Sequence, residues 1–209
     1  MDSILCKKKY FESEIYKRND ELVTKKVKNS KVVILGLGGL GSNIASMLAR
    51  VGVGNLKLVD FDKVELNNLN RQFYNKTHIG LFKTDALKSE LELINPYLNF
   101  EILNLKITSQ NLNSVLKDDF LICEAFDNAD LKALLMDYAS KNLDKYFVFG
   151  SGMGGYESSN LMKVKRFGTN CYICGDFSSK ASLMAPKVVQ CASMQANTIL
   201  RIIMNEFEI

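Results

Sequence analysis

Glycines stand at positions 36, 38, 39 and 41, in the stretch Gly36-Leu37-Gly38-Gly39-Leu40-Gly41-Ser42. They follow directly on the apolar run KVVIL (31–35) and precede a helical pattern. Glycines at these spacings let a backbone turn tightly and approach a phosphate. The free N–H groups at the start of the following helix, with its dipole, then favour negative charge. Asp60 closes the next apolar run, LKLVD (56–60), where a carboxylate that binds a ribose hydroxyl belongs. The glycines could serve only the close packing of helix on strand. With the strand, turn and helix context and Asp60 all in place, the fingerprint instead predicts a bound nucleotide, without separating ATP from NAD.

More groups able to handle phosphates follow. The segment after Asp60 reads DFDKVELNNLNRQFYNKTHIGLFKTDAL and carries Asp62, Asn68, Arg71, Gln72 and Lys83, while Phe126-Asp127-Asn128 follows a later apolar run. By type alone, Arg71 and Lys83 fit a solvated charged face, and Asp127 fits the turn that starts a helix. In combination they fit the D-x-D-x-V-x-x-x-N-L-x-R-Q signature, with a lysine on the next helix, of the ThiF, MoeB and HesA group, and the chain resembles that family. The resemblance runs from about Lys31 to the last helix, with further matches at Ile94-Asn95-Pro96 and Ala185-Pro186. It is nearest to the short ThiF branch, through Gly150 to Asn160, Cys171 to Asp176 and Gln195-Ala196-Asn197.

The resemblance implies an adenylyltransferase that joins the C-terminal glycine carboxylate of a small ubiquitin-like sulfur carrier to the α-phosphate of ATP, releasing pyrophosphate. The carrier it favours is the thiamine-pathway protein ThiS, with a molybdopterin-type, MoaD-like carrier as the alternative. Carried over by position, Arg71 and Lys83 are the phosphate-neutralising cations and Asp127 is the Mg²⁺ ligand. Gly36, Gly38, Gly39, Gly41, Asp60, Asp62, Asn68 and Gln72 hold the nucleotide. The family also implies a homodimer in which an arginine of the N-terminal segment reaches the other subunit's nucleotide, and Arg18 is the nearest candidate. Two rival readings are an NAD-dependent oxidoreductase, which would not need Arg71 and Lys83, and a nucleotide- or carrier-binding scaffold without turnover.

The scaffold reading draws on two departures from the family. Many relatives hold Zn²⁺ with two C-x-x-C pairs, whereas here only Cys171-Tyr172-Ile173-Cys174 occurs, so no zinc site is expected. The segment GDFSSKASLMAPK that follows contains no cysteine, so no covalent intermediate is expected there. Cys123 and Cys191 lie in apolar patterns and read as core residues.

The elements that must position these groups are legible as an alternation. Apolar runs at 31–35, 56–60, 100–105, 120–125, 146–150 and 161–167 predict strands. Helical patterns fill 40–50, 82–94 and 129–142, with a last helix from about Pro186. This predicts an α/β, Rossmann-like, doubly wound and mostly parallel sheet. One domain is expected over 1–209, with an amphipathic helical segment at 1–30, a nucleotide-binding core at 31–150 and a carrier-binding part at 151–209. Hydrophobic residues make up 47% of the 209, enough for one sizeable core. No apolar stretch approaches a membrane span, the N-terminus lacks signal-peptide order, and five cysteines form no disulfide framework, so a cytoplasmic protein is expected. A net charge of +4, with no long basic block, argues against nucleic acid as a partner.

Overall fold

β1 (Lys31–Leu35) is apolar from Val32 to Leu35 because it is covered on both faces. Val32 and Ile34 enter one core cluster, Val33 and Leu35 the other, and all four are fully buried. The computed structural model describes residues 2–178 and 182–208. The other strands are β2 (Asn55–Asp60), β3 (Asn99–Asn104), β4 (Leu121–Glu124), β5 (Tyr146–Gly150), β6 (Lys163–Phe167) and β7 (Cys171–Gly175). They form one sheet in the order β3-β2-β1-β4-β5-β7-β6, parallel throughout except for the β6–β7 pair. The sheet is therefore the mostly parallel, doubly wound one the alternation predicts.

The helices are α1 (Asp2–Ile15), α2 (Glu21–Lys28), α3 (Gly39–Val51), α4 (Lys83–Ile94), α5 (Leu112–Leu116), α6 (Ala129–Lys141) and α7 (Ala185–Ile203). Ile44 and Leu48 of α3, Leu87 and Leu91 of α4, and Val188 and Ile199 of α7 cover one face. Leu116 of α5 and Leu135 and Ala139 of α6 cover the other, against Phe147 and Phe149. Full burial of side chains of this size is worth roughly 1.5–3 kcal/mol each relative to exposure. Among the described residues no helix is long and apolar enough to cross a membrane.

The N-terminal segment is docked by few residues. Tyr16, in the turn between α1 and α2, lies against Gly52, the left-handed residue that ends α3 (φ 90°), and accepts a 2.6 Å hydrogen bond from buried Asn95. Asp20 caps α2 through the N–H groups of Leu22 and Val23, and Val27 is wholly buried. Phe11 of α1 meets Tyr97 edge-on at 5.4 Å, whereas Leu5 and Tyr10 are exposed.

β7 is the strand that the sequence pattern does not reveal. It inserts between β5 and β6, parallel to β5. Its C-x-x-C pair alternates across the sheet: Cys171 belongs to one core cluster and Cys174 to the other. Cysteines three apart on a strand point to opposite faces, so these two cannot converge on one ion.

Candidate nucleotide-binding site

The order of strands reverses at β1, which lies between β2 and β4. In sheets of this kind ligands bind beyond the carboxyl ends of the strands at that point. A cleft opens there. It is lined by Gly36 and Gly38 after β1, Asp60, Phe61 and Asp62 after β2, and Phe126 and Asp127 after β4, together with Gln72 and Lys83.

The glycine loop is held from several directions. Gly36 has φ 89°, and a Cβ there would lie 2.7 Å from the Ala125 carbonyl oxygen. A Cβ on Gly41 would lie 1.8 Å from the carbonyl oxygen of Gly36, and one on Gly39 would lie 2.9 Å from Val188. Gly36 and Gly38 thus face the cleft, while Gly39 and Gly41 let α3 close against the loop and α7. Gly38 is the N-cap of α3 and no side chain caps its first turn, which leaves its dipole and N–H groups for an anion.

Asp60 supports the loop as well as lining the cleft. Its Oδ2 accepts the Leu37 N–H at 2.6 Å and its Oδ1 the Asp62 N–H at 2.8 Å. Burial pushes its carboxyl above the usual range, opposed by the nearby Lys83 ammonium and these two N–H groups. Lys83, the first residue of α4 and itself buried, points into the cleft with Nζ 2.9 Å from exposed Asp62. Gln72 is also buried, and its Oε1 has no hydrogen-bond partner.

Asp127 is exposed at the cleft wall, just before Asn128, which caps α6 through the Leu131 N–H. Asn128 takes the capping role, which leaves the Asp127 carboxylate facing the cleft. A hard, negatively charged oxygen pair in that position suits a divalent cation such as Mg²⁺. Among the described residues no cluster of three or more His, Cys, Asp or Glu side chains could hold a metal by itself.

The remaining expected residues lie beside the cleft or away from it. Arg71 is brought to the first turn of α3, its Cγ 3.5 Å from where a Cβ of Gly39 would stand. Its guanidinium is turned back to the Asn67 carbonyl and Asn70 Oδ1. Asn68 does not line the cleft: its Oδ1 accepts the Glu65 N–H and its Nδ2 donates to Asn67, a cap on a short 3₁₀ turn. Arg18 is exposed in the turn that docks at the far end of α3, about 20 Å of helix from the loop, so it cannot reach its own chain's cleft.

Several supports of the site are not legible in the sequence. Asn43 donates to the carbonyls of Gly39 and Arg71, and Ser42 Oγ accepts the Phe73 N–H, which pins segment 71–73 to α3. Tyr74 donates to the Leu37 carbonyl at 2.8 Å, and burial raises its hydroxyl well above the usual tyrosine range. Phe61, Leu105, Ile107, Phe126 and Leu131 add apolar side chains to the cleft's lining. Phe61 and Phe126 each sit beside a motif carboxylate, which was the available signal.

The ThiF family sequence model matches residues 12–209, nearly the whole chain. The chain belongs to the ThiF family. Curated relatives include a molybdopterin-synthase adenylyltransferase of Haemophilus influenzae, 39% identical over 108 residues that cover 51% of this chain and 44% of the relative. They also include the sulfur carrier protein ThiS adenylyltransferase of Bacillus subtilis, 31% identical over 193 residues covering 87% of this chain and 56% of the relative. This ThiF-family chain spans about half the length of those relatives. Among solved structures, E. coli tRNA N6-threonylcarbamoyladenosine dehydratase in complex with ATP superposes with a TM-score of 0.84. It covers 93% of both chains at 19% identity, a likeness of fold.

Proposed function

We propose that this ThiF-family protein uses ATP to adenylate the C-terminal glycine carboxylate of a small ubiquitin-like sulfur carrier, with a ThiS-type carrier favoured. The observation that carries the reading is that one cleft brings two chemistries together. The apolar lining side chains Phe61, Leu105, Ile107, Phe126 and Leu131 suit an adenine, and the Gly36–Gly38 loop with Lys83 and Gln72 suits phosphates. A buried lysine lining the same cleft as a carboxylate able to hold a divalent cation fits a triphosphate better than the dinucleotide of an oxidoreductase. The favoured carrier follows from the relative named for ThiS, aligned over most of this chain.

In this reading the α3 N–H groups and Lys83 neutralise the phosphates, and Asp62 keeps the Lys83 ammonium aimed at them. Arg71 joins by exchanging its contacts with Asn67 and Asn70 for a phosphate. Mg²⁺ held between Asp127 and the phosphates would draw charge toward the departing pyrophosphate. A carboxylate oxygen of the carrier attacks the α-phosphorus and pyrophosphate leaves. The work of the site is thus positioning and charge neutralisation. Residues 151–209 receive the carrier. In the working homodimer that the family implies, Arg18 can serve only the partner's cleft.

ATP–pyrophosphate exchange, measured with a ThiS-type and a MoaD-type carrier each ending in Gly-Gly, tests the proposal. Exchange dependent on a carrier is the expected result, faster with the ThiS type; none with either carrier defeats the enzyme reading. Asp127→Ala should lower exchange by roughly 10²–10³-fold, in line with the loss of one electrostatic group aimed at developing charge. Unchanged exchange would remove Asp127 from the site.

A further inference from the structure

The hydrogen-bonded ladder between β4 and β5 stops at the Cys123–Val148 pair, one residue short of Glu124 and two short of Gly150. Beyond that point the two strand ends are joined by side chains. Glu124, with no solvent exposure, accepts the Phe126 N–H at 2.7 Å on Oε1, and the Gly150 N–H at 3.3 Å and the Lys132 ammonium on Oε2. Lys132 lies on α6, little more than one turn past Asp127, and its Nζ also donates to the Gly150 carbonyl at 2.7 Å. Gly150 is thereby gripped at both its N–H and its C=O. Gln195 of α7 adds a 2.9 Å hydrogen bond to the Glu124 carbonyl.

This unit sits behind two functional surfaces. Phe126, whose N–H Glu124 holds, and Asp127 form the β4 side of the cleft, and Gly150 begins the glycine-rich segment 150–155 on the side assigned to the carrier. We propose that Glu124 and Lys132 are positioning residues for the adenylation site, fixing the Asp127 carboxylate for a divalent cation and holding it in register with the segment that leads the carrier tail to the α-phosphate. This rests on the reading of the cleft given above. Neither side chain lines the cleft, so both act through Phe126, Asp127 and Gly150. Outer partners of metal-binding carboxylates act in this way, by setting the orientation of the group that binds.

A pair that served only stability would lower the melting temperature and leave the folded protein's nucleotide affinity alone. A positioning pair weakens the metal-dependent share of binding. The experiment is calorimetric titration of the whole chain with ATP, with and without Mg²⁺, for the wild type, Lys132→Met, Lys132→Arg and the double variant Glu124→Gln/Lys132→Met. The double variant leaves no buried charge unpaired, so it remains informative where the single Lys132→Met fails to fold. The expected result is that loss of the cation weakens ATP binding in Mg²⁺ by about tenfold or more while Mg²⁺-free binding stays within about twofold, and that Lys132→Arg restores most of the loss. Equal affinity in Mg²⁺ for wild type and the methionine variants overturns the inference alone. A wild-type chain that binds no ATP under either condition overturns the reading of the cleft, and the inference with it.

Discussion

Four glycines of one motif do two different jobs, and the distinction lies in what stands opposite each. A Cβ on Gly41 would sit 1.8 Å from the carbonyl oxygen of Gly36, which is backbone and cannot step aside. At Gly38 the nearest atom to a Cβ is the far end of Gln72, at 3.8 Å, an ordinary contact, although its φ −77° and ψ −147° lie outside the usual helix and strand regions. Gly41→Ala should therefore cost about 3 kcal/mol from overpacking, and lower the melting temperature by roughly 6–12 °C. Gly38→Ala should lower the melting temperature less than Gly41→Ala does, yet bind ATP weakly, because its methyl group occupies the phosphate side of the cleft. Paired thermal melts and ATP titrations check both, and equal melting of the two variants would contradict this division. The sequence showed the loop but not the division, since a glycine needed for a ligand and one needed for a helix are the same letter. Asn68 and Gln72 illustrate the same limit. Both are buried polar residues of one motif, yet the amide of Asn68 is consumed in a cap while Gln72 keeps an acceptor without a partner.

At the scale of elements, strands buried on both faces announced themselves, because such a strand must be apolar at nearly every position. The strand runs at 31–35, 56–60 and 146–150 were legible for that reason. β7 was not: Cys171, Tyr172 and Cys174 are buried, yet a five-residue strand of cysteine, tyrosine and glycine reads as a turn or a motif. The ends of helices were legible where backbone chemistry dictates them, as at α4, where Pro96 keeps Asn95 extended (φ −149°, ψ 100°). The seat of the N-terminal segment was not, because it rests on tertiary contacts of a few residues, Tyr16 among them. Tyr16 fills the space left by Gly52 and accepts the only hydrogen bond described for the Nδ2 of Asn95, which is 1% exposed. Tyr16→Phe keeps the packing and orphans that buried donor, so it should destabilise the protein by about 1–3 kcal/mol in urea unfolding. No measurable change would mean that α1 and α2 are held by other contacts.

For the whole molecule, the cysteines offer a way to ask whether nucleotide and fold are linked. Of five thiols, only Cys6 is exposed. Cys123, Cys174 and Cys191 belong to the core cluster that includes α7, and Cys171 lies on the opposite face. Burial raises all four, Cys174 to about 11 and Cys191 to about 12, so in the folded protein these last two hold almost no thiolate near pH 8. A thiol reagent should consequently modify Cys6 at once and the other four only through openings of the core. A ligand that binds only the folded chain stabilises it by about 2.7 kcal/mol at a hundred times its Kd, so saturating ATP should slow those four thiols about a hundredfold where global unfolding is the route. Cys6 should be indifferent, which makes it an internal control for the reagent. Protection of all four by the same factor would show that the two core faces open together. Protection confined to Cys123, Cys174 and Cys191 would show that α7 lifts from the sheet independently of the face that α6 covers. Rapid modification of any of the four in the absence of denaturant would contradict their buried placement.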